Sequence, residues 1–146
     1  IIKCDVIMAR IKYTTKELNT LARLLKAEAV GEGNQGMLLV GNVVVNRVCA
    51  KCSNFRKTNT LTKVIFQKNA FDGTKSKLFQ TGFTSTQKRL ATRVVKSWRG
   101  HPATRALFFY APGKGNRCKN TFYGPYIGRY KNHCFYQLKN MSKCGI

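Results

Sequence analysis

The sequence predicts an α+β domain that is mainly helical and has a small antiparallel sheet late in the chain. In three segments of the first hundred residues, apolar residues recur at spacings of three and four, the period of an amphipathic helix. Short runs rich in aromatic residues come after residue 105, where they indicate strands. No apolar run approaches the roughly 20 residues of a membrane-spanning helix.

The first helix is predicted to begin at Thr14 or Thr15, since either residue can cap it. Glu17 would lie in its first turn, where a carboxylate complements the helix dipole. Gly31 is expected to end the helix, because glycine is favoured at helix C-termini. Between these limits the apolar side chains fall on one stripe: Leu18, Leu21, Leu24 and Leu25.

A second helix is predicted from a cap at Asn34 to about Val48. Its apolar face would consist of Met37, Val40, Val44, Val45 and Val48. Gly36 and Gly41 inside this helix indicate close approach by another part of the chain. Because only a few residues join the first two helices, they should pack against each other as a hairpin.

Shorter elements are predicted in the rest of the chain. They are a polar loop at 50–60, a turn at Asp72-Gly73, a third helix from Thr84 or Ser85 to about Arg99, and strands in ALFFYAP (106–112) and HCFYQL (133–138). Neither an internal repeat nor a low-complexity linker interrupts the chain. A single domain is the natural organisation for 146 residues.

The chain is strongly basic: 27 Lys and Arg residues against five Asp and Glu residues give a formal charge of +22. These basic residues are scattered, without the block of like charges that marks a tail. A field of this size favours a polyanionic partner, which could be nucleic acid, an anionic membrane surface or an acidic cell-wall polymer. The alternative is a solvated basic surface that only keeps the protein soluble.

Six cysteines would allow three disulfides in ~15 connectivities. Cys49 and Cys52 form a CxxC pair, but a zinc site would need two more ligands at close spacing. The other four cysteines are isolated from one another, and the two histidines lie apart as well. Structural thiols and disulfides are therefore both favoured over zinc, and we predict no metal and no cofactor.

Glu28 is the candidate catalytic residue, because it continues the leucine stripe of the first helix three residues after Leu25. A carboxyl group held against apolar side chains has its charged form disfavoured, so its pKa rises. Such a group can donate a proton to a leaving oxygen, as glycoside cleavage requires. The alternative is a buried glutamate paired with an arginine such as Arg47.

Two further carboxylates and two aromatic residues are candidates for supporting roles. Glu32 is expected to bind backbone N–H groups at the start of the second helix. Asp72 is the other candidate for a second carboxylate, which many glycoside hydrolases need. Aromatic residues cluster in the second half of the chain and can stack on sugars or bases. Among these, Tyr110 and Tyr126 are expected to be exposed.

Four segments together carry a family resemblance that extends over nearly the whole chain. They are LARLLKAEAVGEGNQGMLLVGNVVVNRV at 21–48, IFQ…AF at 65–71, LFFYAP at 107–112 and IGRYKNHCFY at 127–136. In combination they resemble the SleB/CwlJ cell-wall hydrolases, the cortex-lytic enzymes of spore-forming bacteria, and most closely the CwlJ branch. The chain departs from that branch at Val30, where glutamate is usual, and in its high charge.

The resemblance implies a fold like that of lysozymes and lytic transglycosylases, with peptidoglycan as substrate and Glu28 as the acid/base. For this branch it also implies the spore cortex, a spore-coat protein partner, and action in the coat and cortex region or the cell wall. We predict that Glu32, Asn46 and Arg47 support the cleft around Glu28. The predicted substrate-binding residues are Gln67, Asp72, Tyr110, Tyr126 and His133.

Residues 1–13 are predicted to be an N-terminal extension, without the uninterrupted apolar core of a secretory signal, and 14–146 a single catalytic domain. Three alternatives stay open: an N-acetylmuramoyl-L-alanine amidase, a phage endolysin of the same family, and a non-enzymatic polyanion-binding protein. His133 and Cys134 would make a poor amidase dyad, because strand neighbours point to opposite faces. A nucleic-acid module has no use for a carboxylate on its apolar seam, so no nucleic-acid partner is expected.

Overall fold

A computed structural model describes residues 9–146. Their helices are α1 (Thr15–Ala29), α2 (Gly33–Cys49), α3 (Leu61–Ile65), α4 (Lys77–Gln80) and α5 (Ser85–Lys96). Short 3-10 turns occur at Val30–Glu32, Ser53–Phe55 and Asp72–Lys75. The strands β1 (Phe108–Tyr110), β2 (Tyr126–Tyr130) and β3 (His133–Tyr136) form an antiparallel sheet in the order β1-β3-β2. The predicted α+β class is confirmed.

The paired helices predicted in the first fifty residues are confirmed. Thr14 caps α1: its hydroxyl accepts a 3.1 Å hydrogen bond from the Glu17 N–H, while the Glu17 carboxylate accepts one of 3.2 Å from the Thr14 N–H. Gly41 allows α2 to approach α5 closely, since a Cβ there would lie 2.9 Å from Cγ2 of Val94. The first of these contacts defines where α1 begins, and the second brings α2 and α5 together.

The junction between α1 and α2 differs from the prediction. Gly31 is not the residue that ends the first helix. α1 ends at Ala29 and is followed directly by the 3-10 turn Val30–Glu32, which contains Gly31. The residue in the left-handed region is Gly33, with φ 78°, and it reverses the chain direction between the helices. Asn34 does not cap α2, since that helix already begins at Gly33.

The predicted third helix corresponds to α5, but it ends at Lys96 instead of about Arg99. The N–H groups of Ser97 and Trp98 both bond to the carbonyl of Arg93, which closes the last turn early. Three elements lay in segments without a predicted helix or strand. They are α3, a helix of five residues, α4, a single turn, and β2, a glycine-containing strand with an irregular register against β3.

The core lies between the helices, and it extends to the sheet. Leu21, Leu24 and Leu25 of α1 are fully buried, as the stripe predicted. All four residues of β3 are buried, because this strand is central in the sheet. Leu39 of α2 packs in one cluster with Phe135 of β3. The end of α1 and the strand β3 are therefore held in a fixed relation by α2.

The described cysteines are in disulfides, which is one of the two alternatives that the sequence left open. Cys52 is bonded to Cys144, and Cys118 to Cys134. The CxxC sequence therefore does not close its own disulfide, because Cys52 pairs with a residue near the C-terminus. No cysteine in the described part of the chain is free.

The predicted N-terminal extension falls partly on residues 1–8, which lie outside the described residues. The N–H of Arg10 donates to the carbonyls of Val95 and Lys96, and Ile11 is buried. The chain thus packs on α5 from residue 10 onwards. The boundary at residue 13 and the single catalytic domain over 14–146 stay predictions. Within the described range, no helix has the length and apolar character needed to cross a membrane.

Candidate active site

A cleft of about 360 Å³ opens beside the C-terminal end of α1. It brings together four of the predicted site residues, namely Glu28, Asp72, Tyr110 and His133. They come from α1, from the turn after residue 71, and from the strands β1 and β3. Residues far apart in the sequence therefore face one space large enough for a small-molecule group.

Glu28 is half-buried in this cleft, and its carboxylate Oε2 accepts a 2.9 Å hydrogen bond from the Gly73 N–H. Burial raises the pKa of Glu28 above the usual range of a glutamate. The Gly73 hydrogen bond and the charges of His133 and Arg47 oppose this rise, whereas the charge of Asp72 adds to it. A carboxyl group whose pKa is raised in this way keeps its proton to a higher pH than an exposed glutamate does.

The turn that presents Gly73 is held by its own side-chain hydrogen bonds. The hydroxyl of Thr74 donates to the carbonyl of Phe71 at 3.0 Å, and the hydroxyl of Ser76 donates to the carbonyl of Gly73 at 2.7 Å. A Cβ built on Gly73 would overlap Oε2 of Glu28. Glycine is thus the residue that lets this backbone N–H reach the carboxylate.

Glu32 and His133 form a buried pair, with Oε2 and Nδ1 separated by 2.5 Å. We expected Glu32 to bind backbone N–H groups at the start of α2. Its side chain makes no such capping hydrogen bond and contacts His133 instead. Its Oε1 is buried without a hydrogen-bond partner among the described residues. The imidazole also packs edge-on against Phe109, with ring centroids 5.2 Å apart. With Nδ1 bound to Glu32, the other side of the ring is left for the cleft.

Asn46 lies outside the cleft and is fully buried. Its Nδ2 group points to three carbonyls of residues 103–106, at 2.8 to 3.2 Å. Its Oδ1 accepts a hydrogen bond of 3.2 Å from Asn42 in the previous turn of α2. Asn46 therefore joins α2 to the segment that leads into β1, and it supports the cleft from behind.

Arg47 lies behind the cleft wall. Its Nε donates a 2.6 Å hydrogen bond to the carbonyl of Leu107, and its guanidinium carbon lies 4.8 Å from the ring centroid of Phe71. Burial lowers the pKa of Arg47 to about 10. Arg47 acts on Glu28 electrostatically but forms no ion pair with it within residues 9–146.

Among the three remaining predicted residues, Tyr110 lines the cleft, Gln67 lies next to it and Tyr126 lies away from it. Gln67 lines an adjoining cavity that shares part of its wall with the cleft. Tyr126 is 43% exposed on β2 and packs edge-on against Tyr136, but it does not line the cleft. The half-buried Tyr110 lines the cleft, and its hydroxyl accepts a 2.8 Å hydrogen bond from the Lys119 N–H.

Sequence reasoning missed the partner of Glu28 and the aromatic walls of the cleft. The Asp72-Gly73 turn was visible as a local signal, but its contact with Glu28 was not. Phe71 and Phe109 stack with centroids 5.9 Å apart and form one wall. Across the described residues, no three His, Cys, Asp or Glu side chains are grouped as ligands of a metal ion.

Comparisons with solved structures give the fold a precedent. The catalytic domain of the Bacillus cereus SleB protein matches 86% of this chain and 93% of its own, with a TM-score of 0.69 and 25% identity. The catalytic domain of the germination-specific lytic transglycosylase SleB from Bacillus anthracis matches equally, over 97% of its own chain. The predicted likeness to such enzymes in fold is confirmed.

Sequence comparisons agree with the structural ones. The profile of a family described as Cell Wall Hydrolase matches residues 31–136. The cell wall hydrolase CwlJ of Oceanobacillus iheyensis is 41% identical over 131 residues, which are 88% of this chain and 92% of the relative. That of Bacillus subtilis is 39% identical over 130 residues, 89% and 91% of the two chains. The chain therefore belongs to the SleB/CwlJ family of cell-wall hydrolases.

Proposed function

We propose that this protein cleaves the glycan strands of peptidoglycan as a lytic transglycosylase, with Glu28 as its acid and base. The observation that carries the proposal is the half-buried Glu28 carboxyl in an open cleft, with a pKa raised by burial. The solved B. anthracis relative, 25% identical, bears the name of such an enzyme.

In the proposed reaction, protonated Glu28 gives its proton to the glycosidic oxygen as the C1–O bond of a muramoyl residue breaks. The positive charge that develops at C1 is then met by the C6 hydroxyl of the same sugar. Glu28, now a carboxylate, takes the hydroxyl proton while the C6 oxygen bonds to C1 and closes a 1,6-anhydro ring. Glu28 thus returns to its protonated form, and no water is consumed.

Gly73 and the buried pair have separate supporting roles in this mechanism. The Gly73 N–H donates to Oε2, so it stabilises Glu28 in the ionised form that exists between the two proton transfers. The bond between Glu32 and Nδ1 fixes the orientation of His133 at the cleft. His133 can then present its free ring edge to a substrate hydroxyl, as a binding group.

A muramidase is the second candidate, favoured by the presence of Asp72 in the same cleft as Glu28. In that case Glu28 would protonate the leaving oxygen and Asp72 would act as the second carboxylate, with water as the final acceptor. The amidase alternative has less support. The sulfur of Cys134 is bonded to Cys118, so it does not offer a thiolate beside His133.

The biological setting is also a proposal. We propose the spore cortex as the substrate during germination, the coat and cortex region or the cell wall as the place of action, and a spore-coat protein as a partner. The support comes from relatives named CwlJ at 39–42% identity. A charge of +22 would hold the protein on an anionic wall. The same features fit a phage endolysin, whereas a nucleic-acid partner is not proposed.

Digestion of purified spore cortex and of vegetative peptidoglycan tests the reaction, with mass spectrometry of the fragments. Wild type should release anhydromuramic ends, and Glu28→Gln should release none. Reducing ends that disappear in Asp72→Asn would replace the transglycosylase with the muramidase. Free stem peptides with intact glycan would overturn both. A folded wild type that releases nothing from either wall would favour a binding protein.

A further inference from the structure

A second cavity of about 220 Å³ lies beside the cleft at Glu28. Asn69, Phe71 and Asp72 line both spaces, so the two cavities are neighbours. Glu28 lies in the first cavity and Phe66 in the second, and the two together are called the groove below.

Phe66 lines the far part of this groove with an exposed aromatic ring. Its side chain is 53% exposed, although phenylalanine is among the residues most often buried. The ring is held edge-on against Phe79 at a centroid distance of 6.0 Å, and the Phe66 N–H bonds to the carbonyl of Thr62. Phe79 is in turn covered by the guanidinium of Arg23, at 4.2 Å. The Phe66 ring is therefore packed on one side by Phe79, and the rest of it is exposed.

Polar groups surround this ring along the groove. Gln67 and Asn69 supply amides, and Lys68 and Lys75 supply positive charge. Asn69 has φ 60°, in the left-handed region that few residues other than glycine adopt. An aromatic face with hydrogen-bonding amides at its edge is the combination that binds a sugar ring, whose C–H face is apolar and whose rim is hydroxylated.

We propose that Phe66 forms a stacking subsite for a saccharide of the glycan strand, with Gln67 and Asn69 as its hydrogen-bonding partners. This subsite rests on the proposed function, because it assumes a glycan at Glu28. It would hold the strand at a distance from the bond being cleaved. Binding energy from this remote sugar would keep the scissile bond at Glu28. Substrates too short to reach Phe66 would lose that contribution.

The first test measures binding in a Glu28→Gln background, where strands are not cleaved. Purified glycan strands of defined length are titrated by calorimetry into three variants, Phe66→Ala, Phe66→Trp and the control Leu78→Ala. Leu78 is 45% exposed but lines neither cavity. Phe66→Ala should raise Kd about tenfold, the loss of one stacked ring, while the other two variants stay within about twofold of the parent.

The second test uses the active enzyme on long strands and on the shortest fragment it cleaves. Phe66→Ala should raise KM for the long strands about tenfold, with little change in kcat, and should match wild type on the short fragment. Equal losses on both substrates would overturn the subsite, because they would mean a general effect on the cleft.

The outcomes separate the subsite from the function on which it rests. Strands that bind the parent but bind Phe66→Ala equally well overturn the subsite alone. Strands that do not bind the parent overturn both proposals. Activity that survives in Glu28→Gln overturns the mechanism, while the Kd comparison at Phe66 still decides the subsite.

Discussion

The backbone N of Gly73 lies 2.9 Å from Oε2 of Glu28, and a methyl group on Gly73 would overlap that oxygen. The Glu28 carboxylate is therefore oriented by a backbone group on a turn 45 residues further along the chain. The position of the Glu28 carboxylate therefore depends on the absence of a side chain at residue 73.

Gly73→Ala is expected to displace the Glu28 carboxylate and to lower kcat on peptidoglycan about 100-fold, since a misplacement of about 1 Å has that cost. Gly31→Ala is the matched control, because no other group lies within 4 Å of a Cβ at that position. Rates of fragment release by the two purified variants check the prediction. Equal activity in both would mean that the Gly73 contact does not position the acid.

Glu28→Gln is expected to stabilise the protein near pH 7. The folded-state pKa of Glu28 is raised by burial above its unfolded value, so the fold favours the neutral carboxyl. Its contribution to stability is present below the unfolded pKa and is lost as pH rises through the folded pKa. Urea unfolding near pH 7 and near pH 3.5 should show a gain for the variant at the higher pH only. A gain of equal size at both pH values would contradict the linkage.

The pH profile of cleavage should respond to Asp72. The proposed mechanism needs protonated Glu28, so cleavage should fall as pH rises through the Glu28 pKa. The charge of Asp72 contributes to the raised pKa of Glu28. Asp72→Asn should therefore move the alkaline limb of kcat against pH to lower pH while leaving substantial activity. Loss of all activity would instead assign Asp72 the part of the second carboxylate.

His133→Ala should destabilise the fold by about 3 kcal/mol or more, because it leaves the buried Glu32 carboxylate without its partner. His101→Ala is the control, since His101 is exposed and a surface change of this kind costs about 0.5 kcal/mol or less. Free energies of unfolding from urea titrations provide the comparison. Similar free energies of unfolding for the two variants would show that the contact between Glu32 and His133 contributes little to stability.

The two disulfides that join cysteines within residues 9–146 should contribute unequally to stability. Cys52 and Cys144 are 92 residues apart, whereas Cys118 and Cys134 are 16 apart. Loop entropy predicts losses of about 4–5 and about 3 kcal/mol when the longer and the shorter cross-link are removed. Serine pairs at each site, compared by denaturant unfolding, test this order. A larger loss at Cys118–Cys134 would indicate that local contacts outweigh the chain entropy.

The features that were predictable from the sequence are those that depend on neighbouring residues. The leucine stripe predicted α1 and singled out Glu28, because helical periodicity is a local property. The cap at Thr14 with Glu17 was predictable for the same reason. Gly41 was recognised as a point of close approach, although the sequence did not identify Val94 as the neighbour.

The features that were not predictable depend on contacts across the chain. Glu32 has a local explanation as a group that binds helix N–H donors, yet its side chain reaches His133, 101 residues away. Gly73 looked like an ordinary turn residue until its contact with Glu28 was known. Tyr126 was expected near the substrate, but the order β1-β3-β2 places its strand on the far side of β3 from β1.

The pairing of Glu32 with His133 also bears on when a newly made chain can become active. Glu28 is synthesised well before the strand that carries His133. The helical part can fold while synthesis continues, whereas the cleft has an open side until that strand has docked. A chain that has not yet folded its last strand would therefore carry Glu28 without the side of the cleft that His133 completes.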